Sequence, residues 1–206
     1  EMRDLIAAGD VVLVATGRRP NVEGLNVEAA AIDAGQAGIH VDDHLRTSNP
    51  RVYAAGDVCS SFKFTHAADA MARVVIQNAL FFGRRRASAL IIPWCTYTFP
   101  EIAHVGVSSG QAITIPLAEV DRSIVDEETD GFGRIHHQGG RLIGATIVAP
   151  HAGELIGHVA DVMRRGGKAG ELSAVIFPYP TVAEALRKAG DAYRRQGATP
   201  RIRRFL

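Results

Sequence analysis

Two strand-like segments joined by a turn with a pair of glycines place the tightest constraint on this chain. Gly133–His137 and Leu142–Val148 read as antiparallel strands, and between them lies Gln138-Gly-Gly-Arg141. Glycine enters the positive-φ region without steric cost, which is what a tight turn between antiparallel strands requires, so the pattern predicts a β-hairpin. Thr96 to Val107 and Ile113 to Val125 read as further strands of the same antiparallel sheet. A helix is expected over 152–165, with Leu155, Val159 and Val162 on one face and Gly166-Gly167 closing it. A last helix is expected from Thr181, after Pro178-Tyr-Pro180, to about Gln196, with Gly197 beyond it.

The first part of the chain is patterned differently. Asp10-Val-Val-Leu-Val-Ala-Thr-Gly17 is a short continuous apolar run, as in a parallel strand buried on both faces, and Val52-Tyr-Ala-Ala-Gly-Asp57 is a second one. Residues 18–21 are turn chemistry, residues 25–34 a weak helix or loop, and Gly38 to Asp42 a half-exposed strand. From Thr65 to about Phe82 the spacing of Ala68, Met71, Val75 and Ala79 predicts a helix, with Gly83 as its C-cap. A buried strand at 10–17 needs neighbours that the preceding residues do not supply, so the chain reads as part of a longer protein. The composition changes at Ala89-Leu-Ile-Ile-Pro93, which places a domain boundary near residue 92.

Composition sets the class. The 206 residues suffice for one large or two small domains, and 47% apolar content with 21 glycines is that of an ordinary soluble α/β protein. A net charge of +1 gives no reason to expect a nucleic-acid partner. No apolar run reaches the roughly 18 residues that a membrane span needs, and no signal-peptide pattern is present; the expected location is cytoplasmic. Cys59 and Cys95 are too far apart for a redox pair and read as small buried apolar groups.

Val12-Leu-Val-Ala-Thr-Gly-Arg-Arg-Pro-Asn21 followed by Val52-Tyr-Ala-Ala-Gly-Asp57 resembles, in the same order, two fingerprints of the pyridine nucleotide-disulfide oxidoreductases. Pro93-Trp-Cys-Thr-Tyr-Thr-Phe-Pro-Glu-Ile-Ala-His-Val-Gly106, Gly131-Phe-Gly-Arg134, Leu142-Ile-Gly-Ala-Thr-Ile-Val148 and Ala152-Gly-Glu-Leu-Ile156 resemble that family's dimerisation domain. The resemblance implies an α/β remnant of the FAD- and NAD(P)-binding domains over 1–92, then an α+β dimerisation domain over 93–206, an antiparallel sheet with helices. It implies a homodimeric flavoenzyme, with FAD and NAD(P)H as cofactors and a disulfide, a metal ion or a similar small molecule as acceptor. By resemblance, Gly56 and Asp57 would meet the ribityl chain or pyrophosphate side of FAD, and the backbone of Phe64, Thr65, His66 and Ala67 would meet its isoalloxazine. Gly17 would lie near the nicotinamide nucleotide. No GxGxxG loop is present, so these residues alone are expected to hold neither dinucleotide in the usual way and to be inactive by themselves. The alternative is that the chain, as it stands, is a non-catalytic homodimerisation module.

Most of the family carries His-x-His-Pro-Thr-x-x-Glu near its end, the second His acting as acid/base for the partner subunit's disulfide and the Glu orienting it. Here the stretch reads Phe177-Pro-Tyr-Pro-Thr-Val-Ala-Glu184. Tyr179 stands where the base would be, as in mercuric reductases. A phenol titrating near 10 is a poor base at neutral pH but a competent hydrogen-bond donor or metal-site neighbour. The two candidate catalytic residues are therefore Tyr179 and Glu184. Thr181-x-x-Glu184 also has the form of a capping box. The terminal Cys pair of mercuric reductases is not found in Pro200-Arg-Ile-Arg-Arg-Phe-Leu206. His151, Glu154 and His158 share a helix face and read as packing and surface residues rather than metal ligands. His136 and His137 should point to opposite faces of their strand.

Overall fold

The computed structural model describes residue 11 and residues 13–197. The chain divides into two compact units, Glu1–Ala89 and Leu90–Leu206.

In the first unit, β1 (Ala34–Gly35) pairs antiparallel with β2 (Gly38–Ile39), and α1 spans Thr65–Leu80. Helix α1 buries Ala67, Met71, Val74 and Asn78 on one side. Asn78 does more than fill space. Its amide nitrogen donates to the carbonyls of His44 and Arg85, and its oxygen accepts from the Arg85 N–H at 2.8 Å, so it staples the chain after the helix to an earlier loop. Ser88 adds a second staple, donating through its backbone and hydroxyl to the two oxygens of Asp43.

Several sequence expectations are corrected here. The described residues of 10–17 form no strand, and Val11, Leu13 and Val14 are 95%, 87% and 75% exposed. A continuous apolar run becomes a strand only where ladder partners exist, and no described residue offers one. Val52–Asp57 contributes a single bridge, Tyr53 to Arg46, and then a 3-10 turn at Gly56–Val58. The expected strand from 38 to 42 is only two residues long. Helix α1 ends at Leu80, and its left-handed terminal residue is Phe82 (φ 53°), not Gly83, whose N–H returns to the Gln77 carbonyl at 2.9 Å.

The second unit is built on a five-stranded antiparallel sheet: β3 (Trp94–Thr96), β4 (Glu101–Gly106), β5 (Gln111–Pro116), β6 (Phe132–Gln138) and β7 (Arg141–Ala149), ordered β3-β4-β7-β6-β5. Helix α2 is the short Asp121–Val125, α3 spans Ala152–Arg164 and α4 spans Glu184–Gln196. The β6–β7 turn places Gly139 and Gly140 at φ 56° and 85°, the two consecutive positive values of a tight hairpin that side chains resist. Helices α3 and α4 lie against the sheet, and Val105, Ile135, Leu142, Ile147, Val159 and Leu186 are almost wholly buried in the common core. Burying each fully contributes about 1.5–3 kcal/mol.

The single strand expected at 96–107 is two strands, broken after Thr96 by Tyr97-Thr-Phe-Pro100, and the one at 113–125 stops at Pro116. Beyond Pro116 the chain turns through a 3-10 segment, Leu117–Glu119, into α2, because Leu117 and Val120 both insert into the core at a spacing that no strand allows. In α3 the buried face is Ala152, Ile156, Val159, Val162 and Met163, with Leu155 half-buried at its edge. Helix α4 begins at Glu184 rather than Thr181. His137 turns toward α4, where its ring meets Tyr193 edge-on at 4.9 Å, while His136 faces Arg134 and His104; both are nonetheless buried. None of the helices among the described residues is long and apolar enough to cross a membrane.

Candidate functional site

The candidate residues fall in two places, one in each unit. In the first unit the site is a turn followed by a helix start. Gly56 has φ 78°, and a β-carbon there would come within 2.8 Å of the Ala68 side chain, so glycine alone lets the 56–58 turn press against the first coils of α1. The loop between them is tied down by Lys63, whose ammonium donates to the carbonyls of Asp57 (2.9 Å) and Ser60 (2.8 Å). Arg18 reaches the Lys63 carbonyl at 2.9 Å, which brings the Gly17 segment alongside the same loop. Sequence reading singled out neither Lys63 nor Arg18, because both act through backbone carbonyls and no local pattern marks that.

The half-buried carboxylate of Asp57 makes no hydrogen bond or ion pair among the described residues. Helix α1 starts after Phe64 with no side-chain cap, leaving the positive end of its dipole uncompensated by its own N-cap residue. Thr65 and His66 are exposed and Ala67 is fully buried, while the Phe64 and His66 rings stack at 5.4 Å. A spare acceptor beside an uncapped helix start suits a ligand carrying hydroxyl donors at one end and an electron-rich edge at the other. The residues present therefore fit a flavin nucleotide. Gly17 (φ 118°) is exposed, with open space where a β-carbon would be.

In the second unit the Phe177–Thr181 segment forms a surface loop ahead of α4. Tyr179 is 74% exposed and its hydroxyl donates to Asp121 Oδ2 at 2.9 Å. The hydrogen bond to Asp121 and its negative charge, with a smaller contribution from Glu184, hold the phenol above its ordinary range. Phe177 meets the ring of His158 edge-on at 5.3 Å, and burial first of all keeps that imidazole below its usual pKa.

The expected capping box does not form. The Thr181 hydroxyl donates to the Pro178 carbonyl at 2.8 Å, and Glu184 begins the helix instead of occupying its third position. Glu184 instead accepts from Arg187 at 2.9 Å and pairs with Lys188 at 3.5 Å, and its second oxygen is buried without a partner. Its nearest cations sit one turn along its own helix, and they outcompete a cap for the carboxylate. Glu184 and Tyr179 are thus brought near each other but not bonded. Asp121, which does hold Tyr179, lies 58 residues away in sequence and carries no local signal.

Cys59 and Cys95 are free thiols, each pushed up chiefly by burial. His151 is exposed in a left-handed conformation just before α3, and the described residues gather no group of three His, Cys, Asp or Glu suited to a metal ion. A cavity of about 390 Å³ lies beside the Tyr179 loop, walled by Arg122, Asp126 and Glu128 on one side and by Pro178, Pro180 and Thr181 on another.

Comparison with known proteins agrees with this division. Residues 4–72 match the pyridine nucleotide-disulphide oxidoreductase family, and residues 92–190 match the pyridine nucleotide-disulphide oxidoreductase dimerisation domain. The chain is 36% identical over 199 residues to the mercuric reductase of Staphylococcus aureus, covering 91% of this chain and 36% of that protein. It is 30% identical over 199 residues to the dihydrolipoyl dehydrogenase of Bacillus subtilis (strain 168), covering 91% and 43%. The solved structure of the HOCl-induced flavoprotein disulfide reductase RclA from Escherichia coli superposes with a TM-score of 0.77 at 27% identity, covering 86% of this chain and 44% of that one. The chain thus spans less than half the length of these relatives. It belongs to the pyridine nucleotide-disulphide oxidoreductase family and carries that family's dimerisation domain.

Proposed function

We propose that this chain is the C-terminal portion of a homodimeric flavoenzyme that passes electrons from NAD(P)H to a disulfide or a metal ion. The observation that carries the reading is the pairing of an unpartnered Asp57 carboxylate with the uncapped start of α1, held together by the Gly56 turn. FAD, when bound, would supply the two-electron chemistry. Asp57 would accept from its sugar or ribityl hydroxyls, the N–H groups at the start of α1 would face the electron-rich edge of its ring, and Gly17 would leave room for the nicotinamide nucleotide.

The second unit would serve the dimer, with residues from about 93 onward forming the interface domain. Exposed Tyr97, Phe99, Val175 and Ile176 are the apolar surface such a contact would cover. Tyr179 would face the acceptor, supplying a hydroxyl where the family's usual His-x-His-Pro-Thr-x-x-Glu pattern has an imidazole. With half of a flavin site, the 206 residues would not turn over by themselves.

Joining the chain to the N-terminal remainder of the Staphylococcus aureus mercuric reductase tests this directly. The expected chimaera is a yellow dimer that oxidises NAD(P)H, and Asp57→Ala lowers its flavin content. A folded, dimeric chimaera without flavin would overturn the reading.

A further inference from the structure

We infer that Asp121 is the positioning residue for Tyr179, in the place that Glu184 would be expected to fill, and that their bond ties together two walls of the adjoining cavity. The inference rests on the reading that Tyr179 faces the acceptor. It follows from how each carboxylate is occupied. Glu184 is 12% exposed and committed to Arg187 and Lys188 on its own helix. Asp121 opens α2 and spends Oδ2 on the Tyr179 hydroxyl.

The path between the two carboxylates is continuous. Lys188, paired to Glu184, also donates to the carbonyl of Glu119, two residues before Asp121. Glu184 therefore acts on the tyrosine at one remove, by anchoring the cation that fixes the approach to α2. Leu117, Val120 and Ser123 are buried beneath this segment, so Asp121 is presented from a firm base.

The geometry also sets what Tyr179 can offer. A phenol has one proton, and here it is given to Asp121. The lone pairs that remain make Tyr179 an acceptor toward anything arriving from solvent, which favours a partner bearing a proton or a positive charge. The same bond joins the two segments that wall the 390 Å³ cavity, since Arg122, next to Asp121 in α2, lines one side, and Pro178 and Pro180, which flank Tyr179, line another. Arg122 is ion-paired with Asp126 on that wall and also feels the charge of Glu128, so that wall carries net negative charge.

The test is an alkaline titration of the 206-residue chain labelled with carbon-13 at the tyrosine ring, following the Cζ signal that Tyr179→Phe removes. Tyr179 should ionise above the ordinary phenol range, Asp121→Asn should bring its midpoint down, and Asp121→Glu should restore part of the elevation. Glu184→Gln should move it less than Asp121→Asn does. An unchanged midpoint in Asp121→Asn, or a larger shift from Glu184→Gln, overturns the inference. If Asp121→Asn does not fold, the unaltered chain still decides, because its Tyr179 signal must respond when carboxylates protonate in acid, and a flat response overturns the inference. None of these readings needs flavin, so failure of the chimaera and failure of this bond are separate results.

Discussion

Leu13 in the first unit and Ile135 in the second are both apolar residues that the sequence places in strands, yet Leu13 is 87% exposed and Ile135 is fully buried. The second unit supplies its own ladder partners: β6 is flanked by β5 and β7, and α4 lies against it. The described residues of the first unit supply α1, one two-residue strand pair and a set of polar staples around Asn78 and Asp43. The contrast separates apolar content, which the two units share, from apolar closure, which only one achieves within the described residues. Function follows the same line. In the proposed reading the unclosed unit offers the Asp57 carboxylate beside the side-chain-uncapped start of α1, and the closed unit presents Tyr179 from a packed base.

Hydrogen exchange offers the most severe way to break this contrast. Amides of β4, β6 and β7 should open only with the whole second unit, whereas those of residues 13–20 should exchange almost as in an unfolded chain. The difference should reach about a thousandfold or more, measured by mass spectrometry on the intact chain. Comparable protection in both segments would mean that the apolar run finds a partner after all.

Truncation of side chains gives the next largest effect. Ile135→Ala leaves a cavity in a core that includes Val105, Leu142 and Ile147, and should cost about 2–5 kcal/mol in urea unfolding. Leu13→Ala should stay within about 0.5 kcal/mol. If the two substitutions cost the same, apolar content and apolar closure are not distinct in this molecule.

What was legible in the sequence follows from how far each interaction reaches. The hairpin at Gly139–Gly140 was readable because the turn and both strands it joins lie within 16 residues. The break after Pro116 was not, since it depends on Leu117 and Val120 both finding the core, which strand alternation forbids. Asp57 and the start of α1 were readable as a candidate ligand site from the order of short motifs, but the Lys63 and Arg18 bonds to backbone carbonyls leave no trace in residue types. At the Tyr179 loop the substitution itself was plain in the sequence. Its consequence was not, because Thr181 turned back to Pro178, Glu184 went to Arg187 and Lys188, and Tyr179 found a partner 58 residues away.

The smallest expected effect sharpens the contrast through pH. His136 is 6% exposed, and its Nδ1 is buried without a partner. Burial first, and then the charges of Arg134 and His104, hold its pKa below the ordinary imidazole value, with the Ser109 backbone acting in the opposite direction. As pH falls, the unfolded chain therefore takes up this proton before the folded chain does. Stability from this source is intact above the unfolded value near 6.5 and is lost as pH falls below it. One proton sets the limit at about 1.4 kcal/mol per pH unit. His158 is shifted the same way, so His136→Gln should flatten the slope between pH 7.5 and 5.5 without abolishing it. Urea midpoints at the two pH values measure this, and the loss must fall on the unfolding of the second unit, since its buried imidazoles have traded solvent for packing. A loss that appeared instead in the exchange of residues 13–20, with the second unit's midpoint unmoved, would show that the closed core is not where the protons are excluded.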